Sequence, residues 1–126
     1  MVTILIVEDE GLFRDMLKIS LGSLPNLEVV GAVSDGNAAV EAADRLLPDV
    51  VLMDIELGCV PNGIAAGRAI KEEHAGIGII ILSAHKEREY VNMMAAQEMS
   101  GWSYLLRQSV TNADALVRAI QGAASG

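Results

Sequence analysis

The feature that most constrains the fold is an alternation, repeated five times, between a short apolar run and a longer amphipathic stretch. Short apolar runs bounded by turn residues predict buried β-strands, whereas apolar residues three and four positions apart predict helices. Strands that each precede a helix predict an α/β sandwich in which helices cover both faces of a parallel sheet. The predicted strands lie at residues 3–7, 27–32, 50–53, 77–82 and 102–106, and the predicted helices at residues 13–21, 34–47, 64–74, 86–99 and from 112 onward.

Two of these elements carry more detailed expectations. The strand at residues 27–32 is more polar than the others, which predicts a position at the edge of the sheet. The first helix is predicted to have one apolar face, because its apolar side chains recur at helical spacing. That face is predicted to carry Phe13, Met16, Leu17 and Leu21.

Size and charge restrict the class of protein. A chain of 126 residues predicts one domain, spanning 1–126, and its net charge of -8 disfavours binding of this domain to nucleic acid or to an anionic membrane. The single cysteine, Cys59, forms neither an internal disulfide nor a zinc site. The apolar residues 1–7 lack the basic region of a signal peptide and run directly into Glu8. We therefore expect a cytoplasmic protein.

Acidic residues follow two of the predicted strands at their carboxyl ends. Glu8, Asp9 and Glu10 follow the first strand, and Asp54 and Glu56 follow the third. In such sheets the functional crevice lies outside these ends. Carboxylates gathered there repel one another unless a cation joins them, and Mg²⁺ is the hard divalent ion that best meets this need. Acidic residues after strands also serve as helix N-caps, which is our interpretation of Glu10. For Glu8 and Asp9, the presence of Asp54 at the end of an uninterrupted apolar strand favours interpretation as metal ligands over interpretation as caps.

The remaining strand ends bring other polar groups to the same edge. Ser83 and His85 follow the fourth strand, and Arg107 follows the fifth. Taken singly, Ser83 also fits a helix cap and Arg107 a solvent-exposed strand end. His74 and His85 lack metal-ligand spacing with the cysteine, so both are predicted to be surface residues.

Five motifs, in this order and spacing, resemble one known family. They are ILIVEDE (4–10), LPDVVLMDIEL (47–57), NGIAAG (62–67), IIILSA (79–84) and SYLLRQS (103–109). Together they are similar to the receiver domains of bacterial two-component response regulators, such as the chemotaxis response regulator. The resemblance covers residues 4–120 and implies a flavodoxin-like (βα)5 fold with strand order 2-1-3-4-5. The last motif is most similar to receivers of the LuxR or NarL class.

The resemblance assigns roles to the acidic residues. Asp54 matches the phosphoacceptor, which takes a phosphoryl group from the phosphohistidine of a histidine kinase. Asp9 matches the direct Mg²⁺ ligand, and Glu8 matches its acidic neighbour that acts through water. Asp54 and the main-chain carbonyl of Glu56 complete the implied metal site.

The resemblance also implies a switch. Ser83 matches the hydroxyl residue that binds the phosphoryl group and moves on activation, and Tyr104 matches the aromatic residue that follows this movement. Arg107 stands where the family has lysine, and we expect it still to pair with the phosphoryl group. Glu56 and His85 match positions that influence the lifetime of the phosphoryl group.

The implied function is that of a signalling receiver. It catalyses only its own phosphoryl transfer and dephosphorylation, and is otherwise not an enzyme. Expected partners are a sensor histidine kinase, a second copy of the chain and a C-terminal DNA-binding effector domain outside this chain, which would regulate transcription. The last two would contact a face formed by the predicted helix at 86–99, the fifth strand and the helix after it. The alternative is a pseudo-receiver, a protein-interaction module independent of phosphorylation. A flavin or nucleotide enzyme is disfavoured because no glycine-rich loop follows the first strand.

Overall fold

The computed structural model describes residues 1–54, 63–83, 102–106 and 113–124. The predicted helix at 86–99 and the loop after residue 54 lie outside these described residues. Within the described residues the elements are β1 (Val2–Val7), α1 (Gly11–Gly22), β2 (Leu27–Val33), α2 (Gly36–Leu46), β3 (Val50–Asp54), α3 (Gly63–Glu73), β4 (Gly78–Ser83), β5 (Trp102–Leu106) and α4 (Ala113–Ala124).

The five described strands form one parallel sheet in the order β2-β1-β3-β4-β5. This confirms the predicted flavodoxin-like order and the predicted edge position of the second strand. β3 occupies the centre and is buried along its whole length, as an uninterrupted apolar run predicts for a strand covered on both faces.

Two apolar layers cover the sheet, because successive side chains of a strand point to opposite faces. One layer packs α2 and α3 on the sheet, and small alanines of α2 allow the helix to approach closely. The other layer packs α1 and α4 on the opposite face. The strand residues of this second layer are Ile4, Ile6, Val50, Leu52, Ile80 and Leu82.

The approach of α4 to the sheet depends on a glycine in β4. A Cβ atom added to Gly78 would overlap the main-chain carbonyl of Ala123 in α4. Gly31 in β2 has a similar but softer restriction, since its added Cβ would lie 2.9 Å from the side chain of Leu46. A side chain at position 78 would therefore push α4 away from the sheet.

A hydrogen-bonded clamp at the amino edge fixes β1 against β3. Asp49 Oδ2 accepts from the Thr3 main-chain N–H at 2.9 Å and from the Thr3 hydroxyl at 3.1 Å. The Asp49 N–H donates to the Thr3 carbonyl at 3.0 Å. This clamp stabilises the register of the two strands whose opposite ends carry the acidic residues.

The helix ends follow local chemistry. The side chain of Asp35 accepts from the Ala38 N–H at 2.7 Å and so caps the start of α2. The same helix ends before Leu47, which has a positive φ of 47° and precedes Pro48.

The predicted apolar face of α1 is only partly buried. Leu17 and Leu21 are buried, whereas Met16 is 37% exposed. Met16 lies beside Leu12 and Ile19, which are 80% and 75% exposed. α1 therefore has apolar residues on two faces, and only one of them packs on the sheet.

Candidate functional site

The register of β1 and β3 brings their carboxyl ends together. Val7 pairs with Met53, so Glu8 comes opposite Asp54. Strand alternation places Asp54 on the same face as Leu52, the face that α1 and α4 cover. The two acidic side chains thus continue an apolar layer at the carboxyl end of the strands.

Three carboxylates gather at this point. Glu8, Asp9 and Asp54 each offer an oxygen, and these oxygens all lie within 4.8 Å of one another. Glu8 is fully buried and Asp54 is 4% exposed, whereas Asp9 is exposed. Two carboxylates so close in a buried setting are costly unless a positive charge is supplied there.

Local hydrogen bonds hold the acidic loop between β1 and α1. Glu8 Oε2 accepts from the Glu10 main-chain N–H at 3.0 Å. The Glu8 main-chain N–H donates to the Val33 carbonyl at 3.0 Å, and the Glu8 carbonyl accepts from Arg14 Nη1 at 2.9 Å. Glu10 occupies the predicted N-cap position, but its side chain makes no capping hydrogen bond.

The positions of β4 and β5 extend the site. Asp54 pairs with Leu82, so Ser83 is the next residue along the neighbouring strand. Tyr104 of β5 pairs with Ile81, two residues before Ser83 in β4. Three other residues predicted for the site, Glu56, His85 and Arg107, lie outside the described residues.

Comparison with known proteins decides the family. The family model described as the response regulator receiver domain matches residues 4–121. This chain belongs to the response regulator receiver domain family. The match confirms the predicted family and its role in phosphorylation-dependent signalling, and it does not favour the pseudo-receiver alternative. Receiver domains are regulatory, in agreement with the prediction.

Individual relatives agree with this assignment. The transcriptional regulatory protein DegU of Brevibacillus brevis is 37% identical over 125 residues, which are 99% of this receiver domain and 51% of that protein. The transcriptional regulatory protein LiaR of Bacillus subtilis is 33% identical over 126 residues, 100% of this chain and 57% of that protein. The receiver domain thus spans about half the length of these curated relatives.

Solved structures give the same fold. A two-component response regulator of the LuxR family from Aurantimonas sp. SI85-9A1 has a TM-score of 0.86 at 25% identity, covering 100% of this chain and 86% of that one. The response regulator domain of Thermotoga maritima CheB has a TM-score of 0.80 at 29% identity, covering 98% and 96%.

The acidic cluster of this receiver domain fits a hard divalent cation. All three groups offer carboxylate oxygens, the ligand type that Mg²⁺ prefers, and their spacing allows one ion to reach all of them. None of the helices in the described residues combines the length and apolar content of a membrane span.

A second polar cluster joins α2 to the end of α3. His74 Nε2 lies 2.6 Å from Asp44 Oδ1, and the Glu73 carboxylate lies beside them. Hydrogen bonds from His74 and then Glu73 lower the pKa of Asp44, while the hydrogen bond to Asp44 raises the pKa of Glu73. No sequence pattern indicates this cluster, because Asp44 and His74 are 30 positions apart. His74 is partly exposed, and it pairs with Asp44 rather than only facing solvent.

Proposed function

We propose that Asp54 accepts a phosphoryl group from a sensor histidine kinase in a Mg²⁺-dependent reaction, within a single cytoplasmic receiver domain formed by residues 1–126. The observation that supports this most is that the carboxylate oxygens of Glu8, Asp9 and Asp54 lie within 4.8 Å of one another at the carboxyl edge of the sheet. Asp54 ends the central strand and lies within this distance of the exposed Asp9.

The chemistry is a displacement at phosphorus. An Asp54 carboxylate oxygen forms a bond to phosphorus as the P–N bond of the phosphohistidine breaks, and the imidazole leaves. When bound by Glu8, Asp9, Asp54 and the Glu56 carbonyl, Mg²⁺ would neutralise charge on the phosphoryl oxygens. Hydrolysis later breaks the new O–P bond with water, returns the Asp54 carboxylate and releases phosphate. We propose that Glu56 and His85 influence how fast this happens.

Ser83 and Arg107 bind the remaining phosphoryl oxygens. The pairing of Asp54 with Leu82 supports this role for Ser83, since it places the hydroxyl residue next along β4. Ser83 pairs with Leu106, directly before Arg107. Movement of Ser83 toward the new phosphoryl group would leave room for Tyr104 to turn, and would switch the face formed by residues 86–99, β5 and α4. That face would contact a second copy or an effector domain outside this chain, as the likeness to transcriptional regulators supports.

The exposed face of α1 supports a protein as the phosphoryl donor. α1 begins at Gly11, directly after the acidic loop, and a groove along it is lined by Leu12, Phe13, Met16 and Ile19. A kinase domain that presents its phosphohistidine to Asp54 has to cover this edge, so burying these apolar side chains would stabilise the complex.

A pair of variants tests that contact. Leu12→Ser and Ile19→Ser are expected to slow labelling by a histidine kinase that labels the wild type, while labelling by acetyl phosphate is unchanged. Leu47→Ser is the matched control, because Leu47 is also 60% exposed but lies at the end of α2. Equal slowing with both donors would contradict the proposed contact.

Intact-mass measurement tests phosphorylation itself. Incubation with acetyl phosphate and Mg²⁺ is expected to add one phosphoryl group to the wild type, and none after Asp54→Asn or with a chelator. Arg107→Lys is expected to label as well, since both side chains carry a positive charge. A wild type that never gains mass would instead support the pseudo-receiver.

A further inference from the structure

Arg14 links the first helix back to the acidic loop. Its Nη1 atom donates to the main-chain carbonyl of Glu8 at 2.9 Å, across six positions of sequence. The guanidinium passes over the start of α1, where a Cβ added to Gly11 would lie 3.6 Å from Arg14 Nη2. The Arg14 main-chain N–H donates to the Glu10 carbonyl at 2.9 Å, which closes the first turn of the helix.

This link completes the restraint on Glu8. Its main-chain N–H is bound to Val33, its main-chain carbonyl to Arg14, and its carboxylate to the Glu10 N–H. Two of these hydrogen bonds hold the Glu8 main chain and one holds its carboxylate, so the buried side chain has little freedom to turn away from Asp54. Of these three hydrogen bonds, only the one from Arg14 comes from a side chain that can be substituted without changing an acidic residue.

We propose that Arg14 is a positioning residue of the acidic site: it holds the main chain of Glu8 so that the carboxylates of Glu8 and Asp9 converge with Asp54 on one divalent cation. This inference rests on the proposed function only in taking Mg²⁺ as the cation. Residues that orient metal ligands from outside the ligand shell contribute strongly to metal affinity.

Two possible roles of Arg14, as a nearby positive charge or as a positioning residue, predict opposite changes in cation affinity when Arg14 is removed. If Arg14 acted only as a positive charge near three carboxylates, removing it would strengthen cation binding, because cation and guanidinium repel. If it positions Glu8, removing it weakens cation binding. The sign of the change therefore distinguishes the two roles.

The test is an NMR titration of ¹⁵N-labelled protein with Mg²⁺, following the amide signals of residues 8–10. Arg14→Met is expected to weaken Mg²⁺ binding about tenfold or more, the loss typical for a supporting residue outside the ligand shell. Arg14→Lys keeps the charge but loses the reach of the planar fork, and is expected to show part of this loss. Arg45→Met removes the same charge from an exposed site on α2 and is expected to bind as the wild type does.

Hydrogen exchange of the Glu10 amide gives a second readout without metal. That amide donates to Glu8 Oε2, so displacement of Glu8 in Arg14→Met is expected to speed its exchange while the amides of β3 are unchanged. Equal or tighter Mg²⁺ binding by a folded Arg14→Met would overturn the inference, as would a lowered melting temperature with unchanged affinity. If Arg14→Met does not fold, Arg14→Lys decides by the same criteria. If the wild type binds no Mg²⁺, the proposed metal requirement fails, and Glu10 exchange alone decides the role of Arg14.

Discussion

Replacing Asp54 by asparagine is expected to stabilise the metal-free protein. Two unit charges no more than 4.8 Å apart repel by at least about 3.5 kcal/mol at an effective dielectric constant of about 20. Glu8 and Asp54 are buried, so water screens their repulsion weakly, whereas Asp9 is exposed and contributes less. Relaxation and proton uptake relieve part of the repulsion. We therefore expect Asp54→Asn to raise the free energy of unfolding by about 1–3 kcal/mol.

Urea denaturation in the presence of a chelator measures this change. Asp15→Asn is the matched control, because it removes the same charge from an exposed position of α1 and is expected to have little effect. Adding Mg²⁺ is expected to stabilise the wild type, by about 2.7 kcal/mol at 100 times the dissociation constant, and the Asp54→Asn variant less. If Asp54→Asn is no more stable than the wild type without metal, or if Asp15→Asn gains as much stability, repulsion between buried carboxylates does not destabilise the metal-free protein.

Two further predictions test the fold and the second polar cluster. Gly78→Ala is expected to lower the free energy of unfolding by about 1–3 kcal/mol or more, because the new Cβ overlaps the Ala123 carbonyl. Gly76→Ala, whose added Cβ meets nothing within 4 Å, is the control in the same urea measurement, and equal losses would contradict the packing argument. Asp44→Asn is expected to lower the pKa of Glu73 toward its ordinary value, since the hydrogen bond to Asp44 raises it. Because the folded-state pKa of Glu73 is raised, Glu73 contributes stability that is fully present below its unfolded-state pKa and is lost as the pH rises through its folded-state pKa. An NMR titration curve of Glu73 that is unchanged in Asp44→Asn would exclude this coupling.

Three of the strands could be predicted from sequence because two are buried on both faces and one is marked by its polar composition. The apolar runs at 50–53 and 77–82 had no competing helical period, and the polar run at 27–32 marked the sheet edge. β3 extends one residue further, to Asp54, because this residue still pairs with Leu82. The meeting of acidic residues at one edge also followed from sequence, since parallel strands bring their carboxyl ends together.

Three features could not be predicted from sequence. Two are contacts between residues distant in the chain, and the third is which apolar side chains of α1 the sheet covers. Nothing in the spacing of Arg14 and Glu8 indicates that a side chain reaches back to a carbonyl. Leu12 and Ile19 have the hydropathy of core residues, and only the packing of α1 leaves them exposed. Asp44 and His74 meet because α2 and α3 lie side by side on the sheet.

Phosphorylation of Asp54 is tested most sharply by locating the phosphoryl group on the chain. Borohydride reduces an acyl phosphate to an alcohol, so protein treated with acetyl phosphate and Mg²⁺, then reduced and mapped by peptide mass spectrometry, carries a permanent mark at the acceptor. The mark is expected at Asp54 alone and is expected to disappear when the metal is chelated. A mark at Glu8 or Asp9, or one that forms equally without metal, would contradict the account.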